Sequence, residues 1–257
     1  MPYTQEDIQR MGQMQRAYRE REDRARDRLF DYAFVSPDAQ QYARHGALRR
    51  LTTIRWCIDR LFQVLPVDAD NPYSDALAEA AILLQAFIMH ATGVMDNLAR
   101  IWCLERGRRD PIVGAIPPME IGLGPRYERV RNSLTDAFRD YLQQMDQWFG
   151  YLKNYRDAFA HRIPLYIPPR IFEPADEERY RDLERNQLAA WQRQDYEDAD
   201  RLGIEMRRLG RFDPLMMHAF GNGPEDGRPI RLHAQMVSDH ATVVEICELM
   251  LTELEAL

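Results

Sequence analysis

From Ser74 to Glu105 apolar residues return at alternating intervals of four and three: Leu77, Ala81, Leu84, Ile88, Ala91, Met95, Leu98 and Trp102. That alternation is the period of an α-helix, so these side chains share one face. Ile82, Phe87, Met89, Val94 and Ile101 occupy other faces of the same segment. A helix that is apolar on most sides must be covered on most sides, which places it at the centre of a bundle. Three more helices carry stripes that can cover it. One is expected from about Asp38 to Leu65, with Ala47, Leu51, Ile54, Ile58, Leu61 and Leu65. A second, from Arg126 to Ala160, carries Leu134, Phe138, Tyr141, Met145, Trp148, Leu152, Tyr155 and Phe159. The last, about Ala234 to Leu254, sets Val237, His240, Val244, Cys247, Leu251 and Leu254 on one side.

Breakers between the stripes order the chain. Ser36-Pro37-Asp38 reads as a helix start, with Ser36 as N-cap and Pro37 in the first turn. Pro66 to Pro72 is a loop, and the glycines and prolines from Gly107 to Pro125 make an irregular connection. Pro164 disfavours helix at Ile163, so the preceding helix must stop near His161. Ile163 to Pro169 is then extended and apolar enough to pack on the bundle. Two segments lack a clean stripe. Residues 1–33 read as a charged helix in which Glu20, Glu22, Asp23 and Asp27 interrupt the arginines, giving either a solvated face with local ion pairs or a nucleic-acid-binding arm. Residues 176–209 are charged and helical, anchored by Leu183, Trp191, Leu202 and Met206, with a break near Asp195 and a loop from Gly221 to Pro229. The expected fold is all-α: an antiparallel up-down helical bundle with an extra charged helical insertion. Its parts are a charged N-terminal helix (1–35), the bundle core (36–169), the insertion and loop (170–229) and a closing C-terminal helix (230–257).

Thirty-four Lys and Arg stand against 41 Asp and Glu, a net charge of −7. This argues against broad, nonspecific nucleic-acid affinity and leaves room for a local cationic site. Lys153 is the single lysine. Arginine supplies the remaining positive charge, which points to a GC-rich bacterial genome and offers planar forks suited to phosphate. Cys57, Cys103 and Cys247 are odd in number and lie far from zinc-ligand spacing, so buried free thiols in a reducing compartment are expected. The start of the chain lacks a basic-then-apolar leader, and no run approaches 18 uncharged apolar residues. A soluble, cytoplasmic protein without a membrane anchor is the expectation. The chain has no Gly-rich phosphate loop, no G-x-S-x-G and no H-E-x-x-H. Its 12 methionines sit at core spacing and read as packing.

The segment that can carry chemistry is Arg156-Asp157-Ala158-Phe159-Ala160-His161, at the end of a helix. Five residues do not share one face of an ideal helix, but a long arginine and a histidine freed by the terminating turn can converge. Lys153 and Arg162 add charge beside them. Arginine clamps phosphate through two hydrogen bonds, and histidine exchanges protons near neutral pH. The pair suits metal-free acid-base chemistry on a phosphodiester. It equally suits a structural role, capping the last carbonyls and pairing with a nearby carboxylate. A second set, Ala86, His90, Gly93, Asn97 and Arg100, follows one line of the central helix. These polar residues need partners in a buried setting: an internal network, a dimer contact, or support of the Arg156/His161 site by Asp96, Asn97 and His90. His90 and Asp96 lack the repeated carboxylate spacing of a metal site, so no metal and no cofactor are expected. His233 and His240 read as packing or interface residues.

The six-residue segment resembles the R-x4-H motif of the HEPN (higher eukaryotes and prokaryotes nucleotide-binding) superfamily, with Asp157 at the polar position after the arginine. Its place late in a helical bundle is similar. So are Asp96-Asn97-Leu98-Ala99 on the central helix and the run from His161 to Pro169, which resemble a bacterial branch of HEPN-like proteins. The likeness covers about 40–170 and extends to the last helix. It implies a homodimer that brings two motifs together and a metal-independent endoribonuclease, of the toxin or phage-defence kind, with a protein partner or inhibitor. In that chemistry an RNA 2′-hydroxyl attacks the adjacent phosphate, His161 handles protons, Arg156 stabilises charge on phosphate and Asp157 orients the site. Lys153 and Arg162 bind the substrate. The superfamily also implies the alternative of a non-catalytic dimer that binds nucleotides or proteins.

Overall fold

The computed structural model describes residues 3–219 and 227–257, and it is an all-α helical bundle carrying one two-stranded sheet. The central helix is α4 (Ser74–Arg106), contacted by α3 (Leu48–Val64), α8 (Asp146–His161) and α11 (Leu232–Glu255). By length and composition α4 is apolar enough to cross a membrane. In this fold Leu84, Phe87, Ile88, Leu98, Ile101 and Trp102 belong to the main core instead. The stripe of α3 is buried along its whole length, from Ala47 to Leu65. Ile82 and Met89 of α4 stay exposed, so one line of this helix is left open.

Helix α1 (Gln5–Asp31) begins with a capping box between Thr4 and Asp7 and packs on α11. Met11, Ala25 and Leu29 supply its apolar anchors. Its arginines are largely spent inside the molecule. Arg21 meets Glu248 at 2.5 Å, Arg28 meets Glu255 at 2.7 Å, and Arg19 pairs with Asp59. Arg55 of α3 reaches back to Asp23 at 2.6 Å and to the buried Glu22 at 3.3 Å. The ion pairs of this segment are therefore mainly tertiary, to α11 and α3, and the local pair is Arg26 with Glu22 at 3.5 Å.

Two expected helices differ from the periodicity. The helix expected from Asp38 is α2 (Pro37–Gln41), a π-helical turn (Tyr42–Ala47) and then α3. Ser36 caps α2, its side chain accepting from the Ala39 amide at 3.3 Å. The helix expected from Arg126 to Ala160 is α6 (Glu128–Arg131), α7 (Asp136–Gln144) and α8, after the short α5 (Pro111–Gly114) and a 3-10 turn (Pro118–Glu120). Tertiary contacts make these breaks. Glu253 of α11 accepts from the Thr135 amide at 3.1 Å and holds the start of α7. Arg131 draws the Leu142 carbonyl at 3.3 Å and ends it. The stripe survives because the α7–α8 break is the single residue Met145.

Residues 163–169 are non-helical, with a bridge from Tyr166 to Met217, and Leu165 and Ile167 enter the main core. The insertion divides at Asp195 into α9 (Pro174–Gln192) and α10 (Tyr196–Met206), which form their own small cluster around Leu183, Ala190, Leu202 and Met206. The sheet was not legible in the periodicity. Strand β1 (Leu215–Ala219) pairs antiparallel with β2 (Gly227–Arg231), and its backbone also bridges Tyr166. Of the loop expected from Gly221 to Pro229, residues 221–226 lie outside the described residues, and Gly227–Pro229 belong to β2. Pro229 is tolerated because β2 is the edge strand.

Candidate functional site

Helix α8 ends where the proline rule requires. Its last helical residue is His161, and the Arg162 amide closes the turn on the Ala158 carbonyl at 3.1 Å. Within the R-x4-H segment, Arg156 and Asp157 are joined directly. Arg156 donates to Asp157 Oδ1 from Nε at 3.1 Å and from Nη2 at 2.8 Å. Lys153, one turn earlier, donates to the other carboxylate oxygen at 2.6 Å. Burial acts to raise the Asp157 carboxyl, but the hydrogen bonds from Lys153 and Arg156 outweigh it and hold it below the ordinary aspartate value. Asp157 is thus an anion at neutral pH that fixes the Arg156 guanidinium.

Arg162 folds back along α8, donating to the Asn154 carbonyl at 3.0 Å and to the Asn154 side chain. His161 is exposed at the helix end, and among the described residues no hydrogen bond or ion pair holds its ring. Lys153, Arg156 and Arg162 thus make the last turns of α8 cationic, with Asp157 held between Lys153 and Arg156 and the exposed His161 at the tip.

Beside this end is a pocket of about 240 Å³ between α4, α8 and the loop at 123–127. Met95, Leu123, Phe149 and Leu152 make its apolar walls, and Asp96, Arg126, Lys153 and Arg156 stand around it. Asp96 is open to solvent, yet the protein around its carboxyl raises its pKa, while Arg156, Arg100, Arg50 and Arg126 act in the opposite direction. Arg126 lies over the Tyr127 ring at 4.6 Å and hydrogen-bonds its hydroxyl.

The sequence placed Asp96, Asn97 and His90 together as support for Arg156 and His161. Only Asp96 lines the pocket that Arg156 lines. Asn97 accepts from Arg50 Nε at 3.1 Å and faces the π-helical turn, with Asp38, His45 and Gly46 around a separate depression. Gly93 lets the Arg50 guanidinium lie flat on α4, because a Cβ there would occupy the same space. His90 has a buried Nδ1 without a hydrogen-bond partner, and burial, followed by Arg50, lowers its pKa. Asn97 and His90 thus belong with Arg50. His233 and His240 are core residues: His233 donates from Nε2 to the Leu65 carbonyl at 2.7 Å, and His240 meets Glu22 at 2.9 Å.

Sequence reasoning missed Arg126 and Arg131. Arg131 is almost fully buried and ties the Leu123 carbonyl at 2.7 Å to Asp146 of α8 at 2.7 Å. Nothing in the periodicity separates it from the exposed arginines nearby. Among the described residues no group of three or more His, Cys, Asp or Glu side chains has the placement to hold a metal ion. The three cysteines are free and buried, and burial pushes Cys57 and Cys103 up to about 11. Comparison of the chain with family models, curated proteins and solved structures gives no match.

Proposed function

We propose that the chain is an HEPN-like, metal-independent endoribonuclease whose site is the open end of α8. The observation that supports this reading most is the Asp157 carboxylate held between Lys153 and Arg156, about one helical turn before the exposed His161 at the end of α8. Arg156 and Lys153 hold the phosphate, with Asp157 setting the orientation of Arg156. His161 accepts the proton of the 2′-hydroxyl as its oxygen attacks phosphorus. The 5′-oxygen leaves as a hydroxyl after taking a proton, and the cations stabilise the charge that builds on the phosphoryl oxygens. The products are a 2′,3′-cyclic phosphate end and a 5′-hydroxyl end. One imidazole serves one proton at a time, so the second transfer falls to water or to His161 of a second copy in a homodimer.

The test is cleavage of a mixed single-stranded RNA panel with a chelator present. Wild-type protein is expected to leave cyclic phosphate ends, and His161→Ala, at an exposed position, is expected to lose about 10²–10⁴-fold in rate while melting as the wild type does. Equal cleavage by both proteins rejects His161, and no cleavage by either rejects the reading.

One observation favours a second reading, a non-catalytic module that binds a nucleotide or a protein. Lys153 and Arg156 are already paired with Asp157, and among the described residues no group orients the His161 ring. A protein partner has a surface to meet on the insertion, where Leu188, Trp191 and Tyr196 are exposed near the α9–α10 turn. Under this reading His161→Ala changes neither RNA cleavage nor folding.

A further inference from the structure

Three features of the pocket beside α8 belong together. Its floor and walls are apolar, made by Met95, Leu123, Phe149 and Leu152. Its rim carries three cations, Arg126, Lys153 and Arg156, against one carboxylate, Asp96. Arg126 makes no ion pair among the described residues, and its guanidinium is held in place by Tyr127. A concave apolar volume with a few convergent charges is the usual form of a small-molecule site, and the sign of those charges selects the ligand's head group.

Gly150 is the third feature. It lines the pocket from the second turn of α8, where glycine costs about 1 kcal/mol relative to alanine. No turn or positive φ requires it, and a Cβ added there meets nothing within 4 Å. The missing side chain therefore leaves open space on the pocket wall that a ligand can use.

We infer that this pocket binds a small organic anion with an apolar body, its head group at Arg126, Lys153 and Arg156 and its body against Phe149, Leu123 and Met95. The ligand would compete with Asp157 for Arg156, which places its occupancy next to the α8 end without making it the substrate there. This goes beyond the ribonuclease reading, and its test uses no RNA, so either can fail alone.

The probe is the aryl sulfonate 1-anilinonaphthalene-8-sulfonate, titrated by fluorescence into the full-length folded protein. One saturable site is expected, emptied by octanoate and left filled by octylammonium at the same concentration. Gly150→Leu, which fills the pocket from an exposed helical position, is expected to weaken the probe roughly ten-fold or more, with its cooperative melt retained. Arg126→Gln is expected to weaken it roughly ten-fold through loss of a charge-assisted contact. Nonsaturable binding, unchanged affinity in both variants, or displacement by octylammonium as readily as by octanoate would each overturn the inference.

Discussion

Asp239 and His233 sit two turns apart in α11, both buried, and burial shifts them in opposite directions. Asp239 accepts from Trp148 Nε1 at 2.9 Å and from Gln235 at 2.7 Å, yet burial raises its carboxyl to about 6. The folded state then binds the proton more tightly than the unfolded chain does. Its contribution is largest below pH 4 and is lost as pH rises to about 6. His233, packed edge-on by Phe62 and Tyr3, is lowered to about 4 by burial, against which its bond to Leu65 acts. Its contribution is present above pH 6.5 and is lost as pH falls to about 4. Each is on the order of 3 kcal/mol, so between pH 4 and 6 the two cancel. Urea midpoints against pH check this. Relative to wild type, Asp239→Asn should lose stability on acidification through that window and His233→Gln should gain it. Two variants with parallel curves would refute the account.

Arg131 decides how the pocket wall is held. It joins the loop at Leu123, the end of α7 at Leu142 and the start of α8 at Asp146, and it lies over the Phe149 ring at 5.6 Å. Arg131→Met keeps much of the volume but leaves the Leu123 carbonyl without its donor, the Leu142 carbonyl with the Met145 amide alone, and Asp146 without its cation. We expect a cost of about 2–4 kcal/mol in urea unfolding, together with weaker probe binding in the adjacent pocket. A loss within 0.5 kcal/mol would mean that water replaces the guanidinium. The stripe from Leu134 to Phe159 was legible as helix, but the breaks at Thr135 and Met145 were not. They depend on Glu253 and Arg131, which are distant in sequence or silent in any periodicity.

The buried apolar residues fall in two clusters. The bundle shares one core, which takes in Ala25 and Leu29 of α1 as well as α11. Helices α9 and α10 pack mainly on each other and are tied to the rest by few links, among them Arg170 to Asn71 at 2.8 Å and the Ile171–Arg211 bridge. Segments with few buried contacts outside themselves open at lower free energy. Hydrogen exchange should therefore show amides of α9 and α10 exchanging well before those of α4. Equal protection in both would mean a single cooperative unit. The charge run of 1–33 suggested a solvated face with local ion pairs or a nucleic-acid-binding arm, and not a helix tied to α11 and α3. Its docking rests on Met11, Ala25 and Leu29 and on acidic residues of α11 and α3 that meet its arginines, none of which its own period discloses.

Sequence alone determined the class of fold, the central position of α4, the stop at His161 and the cationic character of the α8 end. Each follows from local rules: apolar period, the restriction before proline, and side-chain charge. Tertiary structure decided the rest. It put Asp157 between Lys153 and Arg156, parted Asn97 and His90 from Asp96, and enclosed a pocket with Arg126 at its rim. These outcomes depend on which loop crosses which helix and on which buried carbonyl needs a donor, and such distant requirements leave no period in a sequence.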